Sequence, residues 1–236
     1  MVDDLLLARR GGSMLDHYWE VTSVNLLSRE ERDTPLAEHL ARTAIDMCEH
    51  VGRGALSTQS AKAVLRIILK NYFAECWPTL GQALMHKRPG FLIGHLLGMG
   101  SEKDKEPTDA LLNDVPQEAL LQWCRDNTPE GPAAIAYVVP IFATIKPPAW
   151  HPLAKRLIDE FGQSSEVLSR LSANMFCFSS WGSRAPYYER RIQLFGELLD
   201  HTEPSVRTWA HDETKHYEKE RTMALQKAAE WEWGIH

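Results

Sequence analysis

Basic residues are gathered nowhere in this chain. Its 26 Lys and Arg are outnumbered by 32 Asp and Glu, giving a net charge of −6, and from Glu189 to Glu232 the two signs are interspersed. A surface for nucleic acid or an anionic membrane draws its affinity from neutralising several phosphates at once, so this pattern sets such partners aside. Long hydrophobic runs are missing too. No segment approaches the ~20 apolar residues of a membrane span, and Leu5 to Leu7 in the opening MVDDLLLARRGGSML is too short for a signal-peptide core. A cytoplasmic location is expected. Cysteine is scarce: Cys48, Cys76, Cys124 and Cys177 form no CxxC pair and lie beside apolar residues such as Met47, Trp77, Trp123 and Phe178. They read as reduced core residues and not as a disulfide framework. Alternating β-branched runs bounded by Asn-Gly turns are absent as well, so no strand is expected.

What is present is helical punctuation, with prolines at starts and glycines at ends. Thr34-Pro35 can cap and open a helix to about Val51, with Leu36, Leu40, Ala44, Met47 and Val51 on one stripe. Ser57 can cap the next, where Val64, Leu65, Ile68, Leu69 and Tyr72 recur at three- and four-residue steps. Pro78 opens a short segment ending near Met85. The apolar run GFLIGHLLGMG from Gly90 to Gly100 carries four glycines, each weakening a helix by roughly 1 kcal/mol relative to alanine. The following SEKDKEPTD is the most hydrophilic stretch and the natural surface loop. In the second half, Pro116 opens a helix through Trp123, and Thr128-Pro129 opens another whose apolar residues run through Val139 to a break at Pro140. Pro147-Pro148 makes an elbow. Helices then span Trp150 to Phe161, closed by Gly162 as a left-handed cap, and Ser164 to about Phe176 with a serine cap. Another runs from Tyr187 to about Asp200, and the last from Pro204 to Trp231, roughly 40 Å long.

Short turns between successive helices imply antiparallel pairs stacked side by side. The expected fold is all-α, an irregular α-solenoid of such pairs. Residues 1–14 are expected to form a tail or linker, 15–100 a first helical subdomain, 101–108 a charged loop, and 109–236 a second subdomain.

At Asp200 to Ala210 the stretch DHTEPSVRTWA resembles the second-helix opening of a HEAT repeat, a short acidic turn followed by P-x-V-R-x-x-A. Pro204 pre-sets the first turn, Val206 and Ala210 share a face, and Arg207 can pair with Glu203 one turn back. The resemblance implies that Arg207 bonds to the acidic turn of a neighbouring repeat, Asp200 being the matching position. More loosely, residues 115 to 233 are similar to the C-terminal helical regions of bacterial STAND-type antiviral NTPases. That likeness implies recognition of a foreign ligand or subunit assembly, with chemistry placed in other domains.

No constellation carries chemistry. His211, Asp212 and His216 come nearest to a metal motif, but two histidines five residues apart point about 140° away from each other on a helix, unlike the zinc-binding H-E-x-x-H. Ser179, Ser180 and Ser183 around Trp181 lack the strand and flanking glycines of a nucleophile elbow. GFLIGHLLGMG lacks the lysine and following Ser/Thr of a phosphate-binding loop. Adjacent carboxylates such as Asp159-Glu160 point to different parts of a helix surface. No catalytic, cofactor-binding or metal-binding residue is therefore assigned.

Eight tryptophans remain to be placed. Trp77, Trp123 and Trp209 are expected as core plugs. Trp231 and Trp233, beside Glu230 and Glu232, are the candidates for binding a protein partner or a second copy, since a rigid aromatic with a polar rim is a common interface anchor. The leading reading is a non-catalytic recognition or assembly module. Its rival is a HEAT-like DNA-repair glycosylase, which would need a basic concave face.

Overall fold

The computed structural model describes residues 13–28, 33–49, 58–86, 93–94, 96–99, 110–176 and 182–232. Among them the chain is all-α apart from one small hairpin. In order come α1 (Ser13–Leu27), α2 (Thr34–Glu49), α3 (Thr58–Asn71), α4 (Phe73–Met85), a 3-10 turn (Leu111–Asp114), α5 (Gln117–Asp126) and α6 (Glu130–Ala136). There follow β1 (Phe142–Ile145), β2 (Pro148–Trp150), α7 (Pro152–Phe161), α8 (Ser165–Phe176), α9 (Ala185–Gly196) and α10 (Pro204–Glu232).

These elements form two compact units, one reaching to Met99 and resuming from Asp109 to Gly131, the other holding everything from Pro132 onward. Sequence had put residues 109–236 in one subdomain. In the structure α5 belongs to the first unit because Trp123 packs edge-on against Trp77, with ring centroids 5.6 Å apart and planes at 87°.

In the first unit α1 packs chiefly on α3, and α2 on α4. Asp33, and not Thr34, caps α2: its carboxylate accepts the Leu36 N–H at 2.9 Å. Leu40 and Ala44 of the expected stripe are buried, as are Val64, Leu65, Ile68, Leu69 and Tyr72 on α3. Pro78 stands inside α4 instead of opening it. The helix gives up one backbone bond there, yet its first turn is held because Phe73 stacks on Trp77 at 5.1 Å. Cys76 and Cys124 are buried thiols, as expected of core residues. Ser57, Val51, the loop from 101 to 108 and part of the glycine-rich run fall outside the described residues.

The second unit departs further from expectation. α6 ends at Ala136, before the apolar run does, and Asn174 donates its side-chain amide to the carbonyls of Ala136 at 3.3 Å and Val139 at 2.8 Å. Those carbonyls are thereby satisfied without further helix. The chain then turns into a hairpin in which Phe142 faces Trp150 and Ile145 faces Pro148. This corrects the expectation of no strand: of Pro147-Pro148, read as an elbow, Pro147 forms the turn with Lys146 through a cis Lys146–Pro147 bond, and Pro148 opens β2. Trp150 lies on β2, so α7 starts at Pro152 with His151 as its cap.

Gly162 is right-handed, with φ −67, which corrects the left-handed cap. Glycine is needed there for space, since a Cβ would meet the Ile158 carbonyl oxygen and Val206 Cγ2, both at 2.4 Å. Ser164 caps α8 as expected, accepting the Val167 N–H at 3.5 Å. α10 opens at Pro204 and runs for 29 residues.

Candidate interaction surface

The first half of α10 is anchored. It runs antiparallel to α9, since Phe195 meets Trp209 at 4.8 Å and Tyr188 meets Tyr217 at 6.0 Å. Val206, Ala210 and Tyr217 are fully buried along this seam. A polar chain locks the helix to α8: Trp209 Nε1 donates to Ser172 Oγ at 2.9 Å, and that hydroxyl donates to Glu213 Oε1 at 2.5 Å.

Beneath the seam lies Arg191, 1% exposed. Its Nε and one terminal nitrogen donate to the Met175 carbonyl at 3.1 and 2.7 Å, and the other terminal nitrogen donates to the Tyr187 carbonyl at 2.9 Å. The guanidinium thus satisfies a carbonyl in the last turn of α8, where no helical N–H reaches, and its charge suits that end of the helix dipole. It also lies over the Phe142 ring at 5.7 Å. Burial pushes the pKa of the Tyr217 hydroxyl well above the ordinary tyrosine range, so this phenol stays neutral.

The second half of α10 is not anchored in this way. Past Tyr217 no residue through Glu230 is buried. Arg221 pairs with Glu189 of α9, but α9 begins only four residues before that partner. Twelve residues of α9 span about 18 Å against about 44 Å for α10, so the outer helix outruns its neighbour. Met223 is 45% exposed and Leu225 54%.

No family model, curated protein or solved structure matches this chain.

The structure places the other candidates as follows. Pro204 is the first residue of α10, and Val206 and Ala210 share its buried face as their spacing of four residues implies. Arg207 departs from the HEAT-like pattern. Its guanidinium pairs with neither the Asp200 nor the Glu203 carboxylate and instead donates to the carbonyls of His201 at 2.6 Å and Thr202 at 2.9 Å. The Glu203 carboxylate is taken by its own near neighbour, accepting the N–H and hydroxyl of Ser205 at 3.3 and 2.9 Å. The arginine therefore ties down its own turn, not a neighbouring repeat.

His211 and Asp212 are exposed on α10, whereas His216 is half-buried, its ring 5.3 Å from both Phe176 and Tyr217. Ser183 accepts the Ala185 N–H at 3.3 Å, while Ser179, Ser180 and Trp181 fall outside the described residues, as do the Trp231 side chain and Trp233. Trp77 is buried as expected; Trp123 and Trp209 are half-buried and pack against aromatic neighbours. No helix among the described residues is long and apolar enough to cross a membrane.

Sequence reading overlooked Arg191. The signal was there: Tyr187, Arg191, Leu194 and Leu198 recur at steps of four, three and four, so the arginine occupies a core position of an apolar stripe.

Proposed function

We propose that this chain is a non-catalytic protein-recognition or assembly module that presents the outer half of α10 to a protein partner or to a second copy. One observation carries the reading: a helix firmly anchored through Tyr217 continues for another 15 residues, to Glu232, with Met223 and Leu225 in solvent. Isolated helices gain most of their stability from packing, so a long outer half with exposed apolar residues is the natural place for a partner. Within the first unit, the alternate packing of α1 on α3 and α2 on α4 supports a layered, solenoid-like arrangement, because stacked repeats pack each helix on its counterpart in the next pair. The more specific role, the ligand-sensing part or a subunit of a bacterial antiviral defence system, rests on the sequence resemblance of residues 115 to 233.

The test compares the wild type with a variant carrying Met223→Glu, Leu225→Glu, Trp231→Ala and Trp233→Ala. Self-association is measured by sedimentation, and capture of a partner by co-purification from the native host. Losing anchors worth about 2 kcal/mol should weaken association roughly thirtyfold while the melting temperature stays within ~2 °C. Unchanged association, or a large stability loss with association intact, overturns the proposal.

A further inference from the structure

Two histidines of the second unit do the same job at different helix starts. His151 Nδ1 accepts the Leu153 N–H at 3.3 Å, at the cap of α7. His201 Nδ1 accepts the Glu203 N–H at 3.1 Å, in the turn leading into α10. Both bonds need a ring nitrogen that carries a lone pair, and an imidazolium has none. His201 also touches α7, at the end away from the His151 cap, since His201 Nε2 meets Asp159 Oδ1 at 2.9 Å. With Nδ1 accepting, Nε2 must be the protonated nitrogen that donates to Asp159.

We propose that His151 and His201 form a paired acid-release device, in which protonation of each ring frees the backbone N–H it holds and loosens the starts of α7 and α10. The two sites respond differently. At His201 the added proton removes the acceptor for Glu203 and strengthens the bond to Asp159, so the ring stays with α7 and lets go of α10.

The charges around His201 permit this. Asp159 and Lys155 face it from α7, the two joined at 3.0 Å; Glu203 and Arg207 face it from the α10 side, and Asp200 precedes it in the chain. Arg207 is committed to the His201 and Thr202 carbonyls, and the Glu203 carboxylate to Ser205, so neither occupies the ring. Burial alone would raise the Asp159 carboxyl, but hydrogen bonds from His201 and Lys155 and the charge of Lys155 outweigh it and hold the group below its usual range. A charged carboxylate is thus in place to receive an imidazolium.

Among the described residues His151 has no carboxylate partner. Its backbone N–H goes to the Ile141 carbonyl at 2.8 Å, Lys155 lies one turn along its own helix, and burial lowers its ring's affinity for a proton. A depressed histidine contributes stability that is complete above its unfolded value of 6.5 and is lost as pH falls toward the lower folded value. The His151 cap therefore responds on the acid side of neutrality. This inference does not depend on the identity of any partner of α10.

The test follows the Leu153 and Glu203 amides by NMR between pH 7.5 and 5.5, with exchange corrected for its intrinsic pH dependence. For a closed state that requires neutral rings, opening should become about tenfold more populated at pH 5.5. The variants His151→Asn and His201→Asn supply a side-chain oxygen that can accept the same N–H without titrating, and their amides should stay equally protected across the range. Flat protection in the wild type, or the same loss in the asparagine variants, overturns the proposal. Should a variant fail to fold, the wild-type rings decide the matter: protection lost at a midpoint different from that of the ring resonances also overturns it.

Discussion

Replacing Arg191 by Met tests whether the buried guanidinium holds the second unit together. The side chain donates three bonds to two carbonyls, and bonds involving a charged group are worth about 1.5–3 kcal/mol each in mutational series. Methionine matches the length and removes the cost of desolvating a cation, an offset that in other proteins has made such replacements neutral. Here the carbonyls do not leave with the charge. Met175 O, at the end of α8, stays buried without a donor, so a net loss of about 3–4 kcal/mol is expected. Arg191→Lys keeps the charge but not the planar fork, and should cost about 2 kcal/mol. Unfolding in urea is best followed by amide exchange within α9, because tryptophan fluorescence also reports Trp77 and Trp123 of the other unit. A loss below about 1 kcal/mol for Arg191→Met would refute the assignment and mark the arginine as a passive filler.

Gly162→Ala should destabilise the second unit by about 1–3 kcal/mol through overpacking against Val206 and the Ile158 carbonyl, measured as a shift in urea midpoint at unchanged slope. Trp150→Phe keeps an aromatic ring beside Phe195 but deletes the bond from Nε1 to the Leu194 carbonyl, 2.9 Å long, and should cost about 1–2 kcal/mol in the same assay. Burial, reinforced by the charges of Glu75 and Glu38, pushes the Cys76 thiol up to about 12 from 9.0. A thiol reagent at pH 8 should therefore label Cys76 only at the rate of unfolding. Above pH 9 the unfolded thiol ionises while the folded one does not, so stability should fall as pH rises from 9.0 toward about 12.

Most of the longer helices after α1 were legible because they repeat apolar residues at helical spacing over ten or more positions, whereas α1 was not read and α6 has only seven residues. Val64, Leu65, Ile68, Leu69 and Tyr72 needed no tertiary information, and neither did the Pro204 start. The hairpin was not legible, since a four-residue and a three-residue strand are too short to display alternation and the prolines at its turn resemble a helix breaker. The handedness of Gly162 was misread because its sequence position fits a left-handed cap, while the reason for glycine there is Val206, 44 positions later in the chain. Arg207 was misassigned for the opposite reason. A carboxylate one turn back is the obvious partner on paper, but Ser205 reaches Glu203 first and two carbonyls of the turn are nearer. Of the candidate surface, sequence indicated the length of α10 and its aromatic end, but not the change from anchored to unanchored at Tyr217, which depends on where α9 begins.

The meeting of Trp77 and Trp123 has a consequence for the order of events during synthesis. α4 leaves the ribosome well before α5, and until Trp123 arrives one side of Trp77 and the backbone at Gly81 lack their cover, since a Cβ on Gly81 would lie 2.5 Å from the Trp123 ring. The first four helices are then an unfinished body with an aromatic face open to other molecules, the kind of species that chaperones hold. A chain halted before residue 123 should be sticky, and one extended past Gly131 should not.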